Sequence, residues 1–144
     1  MGRPFVLENE KARMKLVSLA NKVTDVDLGK DVGEGWTVGV VFAHMAFWDQ
    51  RTIVLLRRWK KSGVVTSPVD IEVLNESLTP FLKAISSRIA VSMFLETAET
   101  LCREIENLSD ELVTAIDALG DKMRLHRYIH WQMHIDQIEK IIQS

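Results

Sequence analysis

The chain has 144 residues, of which 18 are Lys or Arg and 20 are Asp or Glu, so its formal net charge is −2 at pH 7. This length is typical of one domain with one core, and we treat residues 1–144 as a single domain. Because neither charge sign dominates, we expect no nucleic-acid-binding surface and no membrane-surface role.

The N-terminal segment has no apolar stretch like that of a signal peptide, since residues 1–7 lead directly into the charged run Glu8–Lys15. Arginines within residues 51–58 interrupt the most apolar region, so no segment reaches the ~20 apolar residues that a membrane-spanning helix needs. Cys102 is the only cysteine, which excludes an intramolecular disulfide and fits a reducing compartment. We therefore expect a cytoplasmic protein with no membrane partner.

Two helices joined by a polar connection are predicted in the first part of the chain. The first should run from about Glu8 to Val23. Three glycines within residues 29–35 mark the connection. Thr37 is a suitable N-cap for the second helix, whose apolar periodicity continues to about Lys61.

A loop over residues 63–69 follows the second helix. The segment Asp70–Ile85 predicts an irregular helix that breaks near Pro80, because proline disfavours the helical conformation in the residue before it. Ser86 or Ser87 can cap the next helix. Its apolar residues recur at three- and four-residue spacing, which indicates a core-facing stripe.

A short helix begins at the Ser109 cap, extends to about Leu119 and ends at Gly120. Asp121 should then cap a last long helix that reaches Ile142. No strand pattern is visible anywhere in the sequence. The predicted fold class is therefore all-α, an antiparallel four-helix bundle with a short extra helix.

Histidines are concentrated in the predicted last helix. His126, His130 and His134 follow one another at four-residue spacing, which places them on one helix face, among apolar residues. His44 lies on the apolar face of the second long helix in the same way. Since an unpaired buried imidazole is costly, each of these rings needs a hydrogen-bond partner or a metal ion.

These spacings leave two interpretations open. Zn(II) and Ni(II) bind neutral imidazole, and two histidines four residues apart on a helix can bind one ion together with a third from a facing helix. Such a site keeps open positions for water or substrate. Alternatively, the rings are core histidines bonded to carbonyl groups. His126 is the weaker ligand candidate, and we expect it at the surface or supporting a ligand.

Several motifs together resemble the DinB/YfiT-like superfamily. They are Trp36-Thr37-Val38, Val41-Phe42-Ala43-His44, the segment Asp70–Asn75, and His130-x-x-x-His134-x-x-Gln137-Ile138. The match covers most of the chain, and its elements occur in the same order as the predicted helices. The final motif is the most specific of the four.

The resemblance implies a four-helix bundle, commonly a dimer, with a divalent metal, Zn or Ni, on His44, His130 and His134. His126 then lies outside the ligand set. It also implies metal-dependent hydrolysis, or transfer or isomerisation of small molecules that carry low-molecular-weight thiols. The expected partners are a small-molecule substrate, a low-molecular-weight thiol as cosubstrate, and a second copy of the chain. No general base is assigned, so the catalytic residues are unknown.

The alternative is a non-catalytic helical module that binds a small metabolite in the same cavity without a metal. Four further residues carry expectations. Gln137 either orients a metal ligand or bound water or serves as a packing amide. Arg51, on the His44 face, either meets an anionic substrate at the cavity mouth or turns to the surface or to a carboxylate. For Asn75, capping or bracing a loop is favoured over contact with a substrate. Trp59 is expected to cover a dimer surface.

Overall fold

The computed structural model describes residues 3–143, and within that range it is mainly helical, which confirms the all-α class. The helices are α1 (Pro4–Lys22), α2 (Asp25–Leu28), α3 (Val38–Ser62), α4 (Ile71–Lys83), α5 (Ser87–Glu106), α6 (Asp110–Asp117) and α7 (Arg127–Ile142). A two-stranded antiparallel hairpin, β1 (Asp31–Gly33) and β2 (Trp36–Thr37), precedes α3, and a 3-10 turn (Lys122–Arg124) precedes α7.

Two predicted helix starts are confirmed by their caps. The Thr37 hydroxyl accepts a hydrogen bond from the backbone N–H of Val40 at the start of α3. The Ser109 hydroxyl accepts one in the same way at the start of α6. Helix α1 begins earlier than the predicted Glu8, because Pro4 fits the first turn of a helix, where its missing N–H costs nothing.

The connection between α1 and α3 is more ordered than predicted, and the expectation that the chain has no strand was wrong. It contains α2 and the hairpin of β1 and β2. Gly33, Glu34 and Gly35 adopt positive φ angles of 117°, 56° and 80°, which the tight reversal between the strands requires. Strands of three and two residues are too short to show an alternating pattern in the sequence.

Helix α4 passes through Pro80 without the break predicted there. Proline removes one backbone hydrogen bond and crowds the preceding turn, and α4 ends soon afterwards at Lys83, so little helix depends on that turn. The Thr79 hydroxyl donates to the carbonyl oxygen of Asn75, one turn earlier, across 2.7 Å. The residues after α3, 63–69, form a loop as predicted.

The last long helix starts later than predicted. Asp121 caps the 3-10 turn through the N–H of Met123, and α7 begins only at Arg127. His126 therefore occupies the position before the helix and does not share the helix face of His130. The prediction that His126 lies within this helix was wrong.

A buried side chain from α1 explains this start. The amide of Asn9 donates to the carbonyl oxygen of Leu125 across 2.7 Å and accepts from the N–H of Tyr128 across 2.9 Å. Asn9 is 1% exposed. These two bonds satisfy backbone groups on both sides of His126, so the chain changes direction there and a continuous helix does not form.

Helix α3 lies at the centre of the fold and packs chiefly against α5, while α1 packs against α7 and α5. Gly39 permits the close approach of α3 and α5, because a Cβ atom added there would lie 2.8 Å from Cβ of Ser87. Trp59 was expected at a dimer surface but is buried, and its indole donates to the carbonyl oxygen of Val65. None of the helices described in residues 3–143 is long and apolar enough to span a membrane.

Candidate metal centre

Three histidines from two helices meet in the interior. His44 comes from α3, and His130 and His134 lie one turn apart on α7. One ring nitrogen from each residue lies within 4.8 Å of the others, a grouping that could hold a metal ion. The two Nε2 atoms of His130 and His134 are 3.1 Å apart. The structure thus brings together the three residues that the resemblance assigned as ligands.

His126 does not join this cluster. Its ring packs against Phe5, with 4.6 Å between ring centroids, and lies 5.9 Å from the ring of Tyr128. It is partly buried between α1 and the start of α7. The expectation that His126 lies outside the ligand set agrees with this position.

The clustered rings are held in their neutral form. Burial, followed by the nearby charges of His134 and Arg127, lowers the pKa of His44 to about 3. Burial and the Arg127 charge lower the pKa of His130 to about 2. Burial also lowers the pKa of His134, although its hydrogen bond to Gln137 opposes that effect. Neutral imidazole is the form that binds a metal ion.

The neighbours of the α7 histidines define where their protons lie. Arg127 can only donate, so Nδ1 of His130 accepts its bond across 3.1 Å, and the proton of His130 is on Nε2. The amide oxygen of Gln137 accepts from Nδ1 of His134 across 3.0 Å, which leaves Nε2 of His134 without a proton. Without an ion, the Nε2–H of His130 therefore donates to Nε2 of His134. For Nε2 of His130 to bind an ion, the ring would take its other neutral tautomer, with the proton on Nδ1, and Arg127 would turn away from that atom.

The role of Gln137 follows from this contact. Of its two predicted roles, the observed hydrogen bond fits the first, because it orients the ring of His134 and fixes its tautomer. This bond directs the unprotonated Nε2 of His134 toward the centre of the cluster.

A buried ion pair lies directly behind the histidines and was not predicted from the sequence. The carboxylate of Asp49 accepts hydrogen bonds from Arg127 and from the indole of Trp131. Burial raises the pKa of Asp49, while Arg127 and Trp131 oppose that shift. Since its oxygens meet donors from both residues, Asp49 is held as a carboxylate. The available sequence signal was the position of Arg127, three residues before His130 on the same helix face.

His44 provides the test of whether the cluster fits a metal ion. Its Nδ1 atom is buried and has no hydrogen-bond partner. Its ring lies between Trp36 and Trp48, with centroid distances of 4.8 Å and 6.5 Å. A buried ring nitrogen without a partner, beside two neutral imidazoles, fits a site for an ion that prefers nitrogen ligands.

The histidines line a cavity of about 610 Å³. Its walls come from the hairpin, α3, the loop after α3, α4, the 3-10 turn and α7. They combine aromatic and aliphatic side chains with several cations. The lining residues apart from the histidines are Trp36, Trp48, Arg51, Thr52, Ser67, Pro68, Val69, Ile71, Asn75, Asp121, Met123, Arg124, Arg127 and Met133.

Two further residues that the sequence singled out lie in this wall. Nη2 of Arg51 donates to the carbonyl oxygen and to the hydroxyl of Ser67, and its guanidinium carbon lies 5.8 Å from the ring centroid of Trp48. Asn75 lies within α4 and its side-chain oxygen accepts from the indole of Trp48 across 2.9 Å. The prediction that Asn75 caps or braces a loop was therefore wrong, because the residue fixes an aromatic wall of the cavity.

Comparison of the chain with family models, with curated proteins and with solved structures gave no match.

Proposed function

We propose that the protein binds one divalent metal ion through His44, His130 and His134 and uses it for hydrolysis or thiol transfer on a small molecule. The observation that carries this proposal is the buried, unpartnered Nδ1 of His44 next to two neutral imidazoles. A core histidine with only a packing role would have a hydrogen-bond partner for each buried nitrogen.

The protein's own residues have distinct roles in this proposal. The three histidines hold the ion, for which Zn or Ni is the expected identity because both accept neutral imidazole. Gln137 orients His134. The ion pair of Asp49 and Arg127 holds α3 against α7, so that His44 stays opposite the α7 histidines. When bound, the ion would lower the pKa of a water molecule or a thiol and polarise an electrophile.

The cavity next to the histidines supports a small-molecule substrate. Its volume of about 610 Å³ lies within the usual range of ligand pockets, roughly 300–1,000 Å³. Trp36 and Trp48 provide apolar walls close to His44. The cavity leaves room for a substrate beside the histidines.

Four finer expectations belong to the same proposal. They are membership of the DinB/YfiT-like superfamily, a four-helix bundle formed by α1, α3, α5 and α7, a homodimer, and a cytoplasmic location. The packing of α3 on α5 and of α1 on α7 and α5 supports the bundle. Multi-angle light scattering would test the homodimer directly.

Metal binding is tested with protein purified without an affinity tag. We expect about one equivalent of a transition metal by elemental analysis, and binding of Zn or Ni to chelator-treated protein by calorimetry. The variants His44→Ala and His134→Ala should lose most of this affinity and remain folded by circular dichroism. His126→Ala is the matched control and should bind like wild type. Equal binding by all the variants would contradict the ligand set.

Catalysis is tested separately. The loaded protein and the chelator-treated protein are compared on a panel of small esters, amides and electrophiles, with and without a low-molecular-weight thiol. We expect turnover that disappears with the ion and returns when the ion is restored. An ion that binds tightly without any turnover would favour the non-catalytic alternative, and absence of binding would favour the metal-free module.

A further inference from the structure

We propose that Arg51 and Arg124 form an anion-binding subsite in the wall of the histidine cavity, and that the substrate is an apolar molecule carrying a carboxylate or phosphate group. The identification of this ligand as the substrate rests on the proposed function. The subsite itself needs no metal ion, so the two proposals can fail independently.

Arg51 is fixed in position before any ligand arrives. Its two bonds to Ser67 engage Nη2, one nitrogen of a planar group with several donors. The guanidinium also lies over the ring of Trp48, at 5.8 Å from the ring centroid. A guanidinium held in this way presents its donors to an oxyanion at little cost in side-chain entropy.

Arg124 has a buried donor without an acceptor. It lies at the end of the 3-10 turn, lines the same cavity, and its Nη1 atom is buried with no hydrogen-bond partner. A guanidinium keeps its charge, and a buried donor on a charged group is costly when it is left unpaired. Because Arg124 lines the cavity, a rotation of its guanidinium would bring this donor to an anion there.

The charges around the cavity leave an excess of positive charge on this wall. Arg127 is neutralised by Asp49, with which it is paired. Arg51 and Arg124 line the same cavity. Burial, followed by the charge of Arg124, lowers the pKa of Arg51, while Asp121 opposes that shift. Asp121 is the carboxylate in the cavity lining, and it cannot balance both arginines. The subsite therefore favours an anion.

The remaining wall favours an apolar body on the same ligand. Trp36 and Trp48 flank His44, while Ile71, Met123 and Met133 line the same cavity. Apolar walls with a few convergent polar groups are the usual composition of a small-molecule site. The ligand's anionic group would meet the arginines, and its apolar part would lie against these side chains.

The test uses full-length protein treated with a chelator, so that no metal ion contributes to binding. Four probes are compared. The probes are benzoate, phenyl phosphate, inorganic phosphate and the uncharged benzyl alcohol, and binding is followed by calorimetry and by the fluorescence of the cavity tryptophans. We expect benzoate or phenyl phosphate to bind at least about tenfold more tightly than benzyl alcohol, because charged hydrogen bonds contribute ~1.5 kcal/mol or more. The preference between the two aromatic anions identifies the oxyanion.

Variants assign the binding to the arginines. Arg51→Gln and Arg124→Gln should each weaken binding of the preferred anion about tenfold, whereas Arg58→Gln, an exposed arginine on the same helix as Arg51, should leave it unchanged. Arg51→Lys and Arg124→Lys keep the positive charge. They serve as second variants in case the Gln variants do not fold. The subsite would be overturned if Arg51→Gln and Arg124→Gln bound the anion as tightly as Arg58→Gln. It would also be overturned if benzyl alcohol bound as tightly as benzoate. Anion binding without metal binding would overturn the metal function alone.

Discussion

Asp49 on α3 and Arg127 on α7 form a buried ion pair, with 2.8 Å between Oδ1 of the carboxylate and Nη2 of the guanidinium. The side chain of Asp49 is 0% exposed and that of Arg127 is 6% exposed. The pair joins the two helices that provide the clustered histidines, and Arg127 also contacts His130. The geometry of the histidine cluster therefore depends on a charge pair in the core.

Removal of one charge from this pair should be strongly destabilising. We expect Asp49→Asn to lower the free energy of unfolding by about 3–5 kcal/mol, because the Arg127 charge would remain buried without compensation. Urea denaturation of the chelator-treated protein measures this change. The matched control is Glu8→Gln in the exposed pair of Glu8 with Lys11, which should cost less than about 1 kcal/mol. Similar losses in the two variants would contradict a structural role for the buried pair.

Gln137 should influence metal affinity although it is not a proposed ligand. Its amide oxygen accepts from Nδ1 of His134 and fixes the tautomer in which Nε2 is unprotonated. We expect Gln137→Leu to weaken Zn binding about 10- to 100-fold, as is usual for residues that orient metal-binding histidines. Calorimetry measures this change. Gln132→Leu on the same helix removes exposed bonds to Asp136 and Lys15 and serves as the control. The same affinity in both variants would show that Gln137 only packs.

The stability of the metal-free protein should fall as the pH decreases below 6.5. The pKa of His44 is lowered to about 3 in the folded protein, whereas a histidine in the unfolded chain titrates near 6.5. Below pH 6.5 the unfolded chain therefore binds more protons than the folded protein, and the free energy of unfolding falls by up to about 1.4 kcal/mol per pH unit for each such histidine.

Urea denaturation at several pH values between 6.5 and 5, with a chelator present, measures this slope. His44→Gln lacks one of the buried imidazoles, so its slope should be shallower than that of wild type by about 1 kcal/mol per pH unit. Parallel slopes for wild type and His44→Gln would contradict burial of His44 in its neutral form.

Local patterns predicted the parts of the molecule that depend on local geometry. The four-residue spacing of His130 and His134 placed both on one face of a helix, and the Thr37 cap located the start of α3. The third member of the cluster depends on the packing of α3 beside α7, which no periodicity encodes. The resemblance to a known family, and no property of the spacing, selected His44.

The start of α7 and the buried ion pair, neither of which was predicted, share one physical origin. The start of α7, and with it the position of His126, is determined by Asn9, whose partner Leu125 is 116 positions away in the sequence. The pairing of Asp49 with Arg127 joins residues 78 positions apart. Hydrogen bonds over such separations exist only in the folded chain, so an amphipathic pattern cannot indicate them.

Gly39 provides a test of the packing that positions His44, which lies just over one turn further along α3. An added Cβ would lie 2.8 Å from Cβ and 3.4 Å from Cα of Ser87 on α5, so the two helices would have to separate. We expect Gly39→Ala to lower the free energy of unfolding by about 1–3 kcal/mol, the usual cost of overpacking, although alanine is the better helix former. Gly29→Ala is the control, because its nearest neighbour would be 3.6 Å away and the glycine has a helical conformation. Thermal and urea denaturation measure the loss of stability in both variants. If the two losses are equal, α3 and α5 do not approach each other as closely at Gly39 as the structure requires.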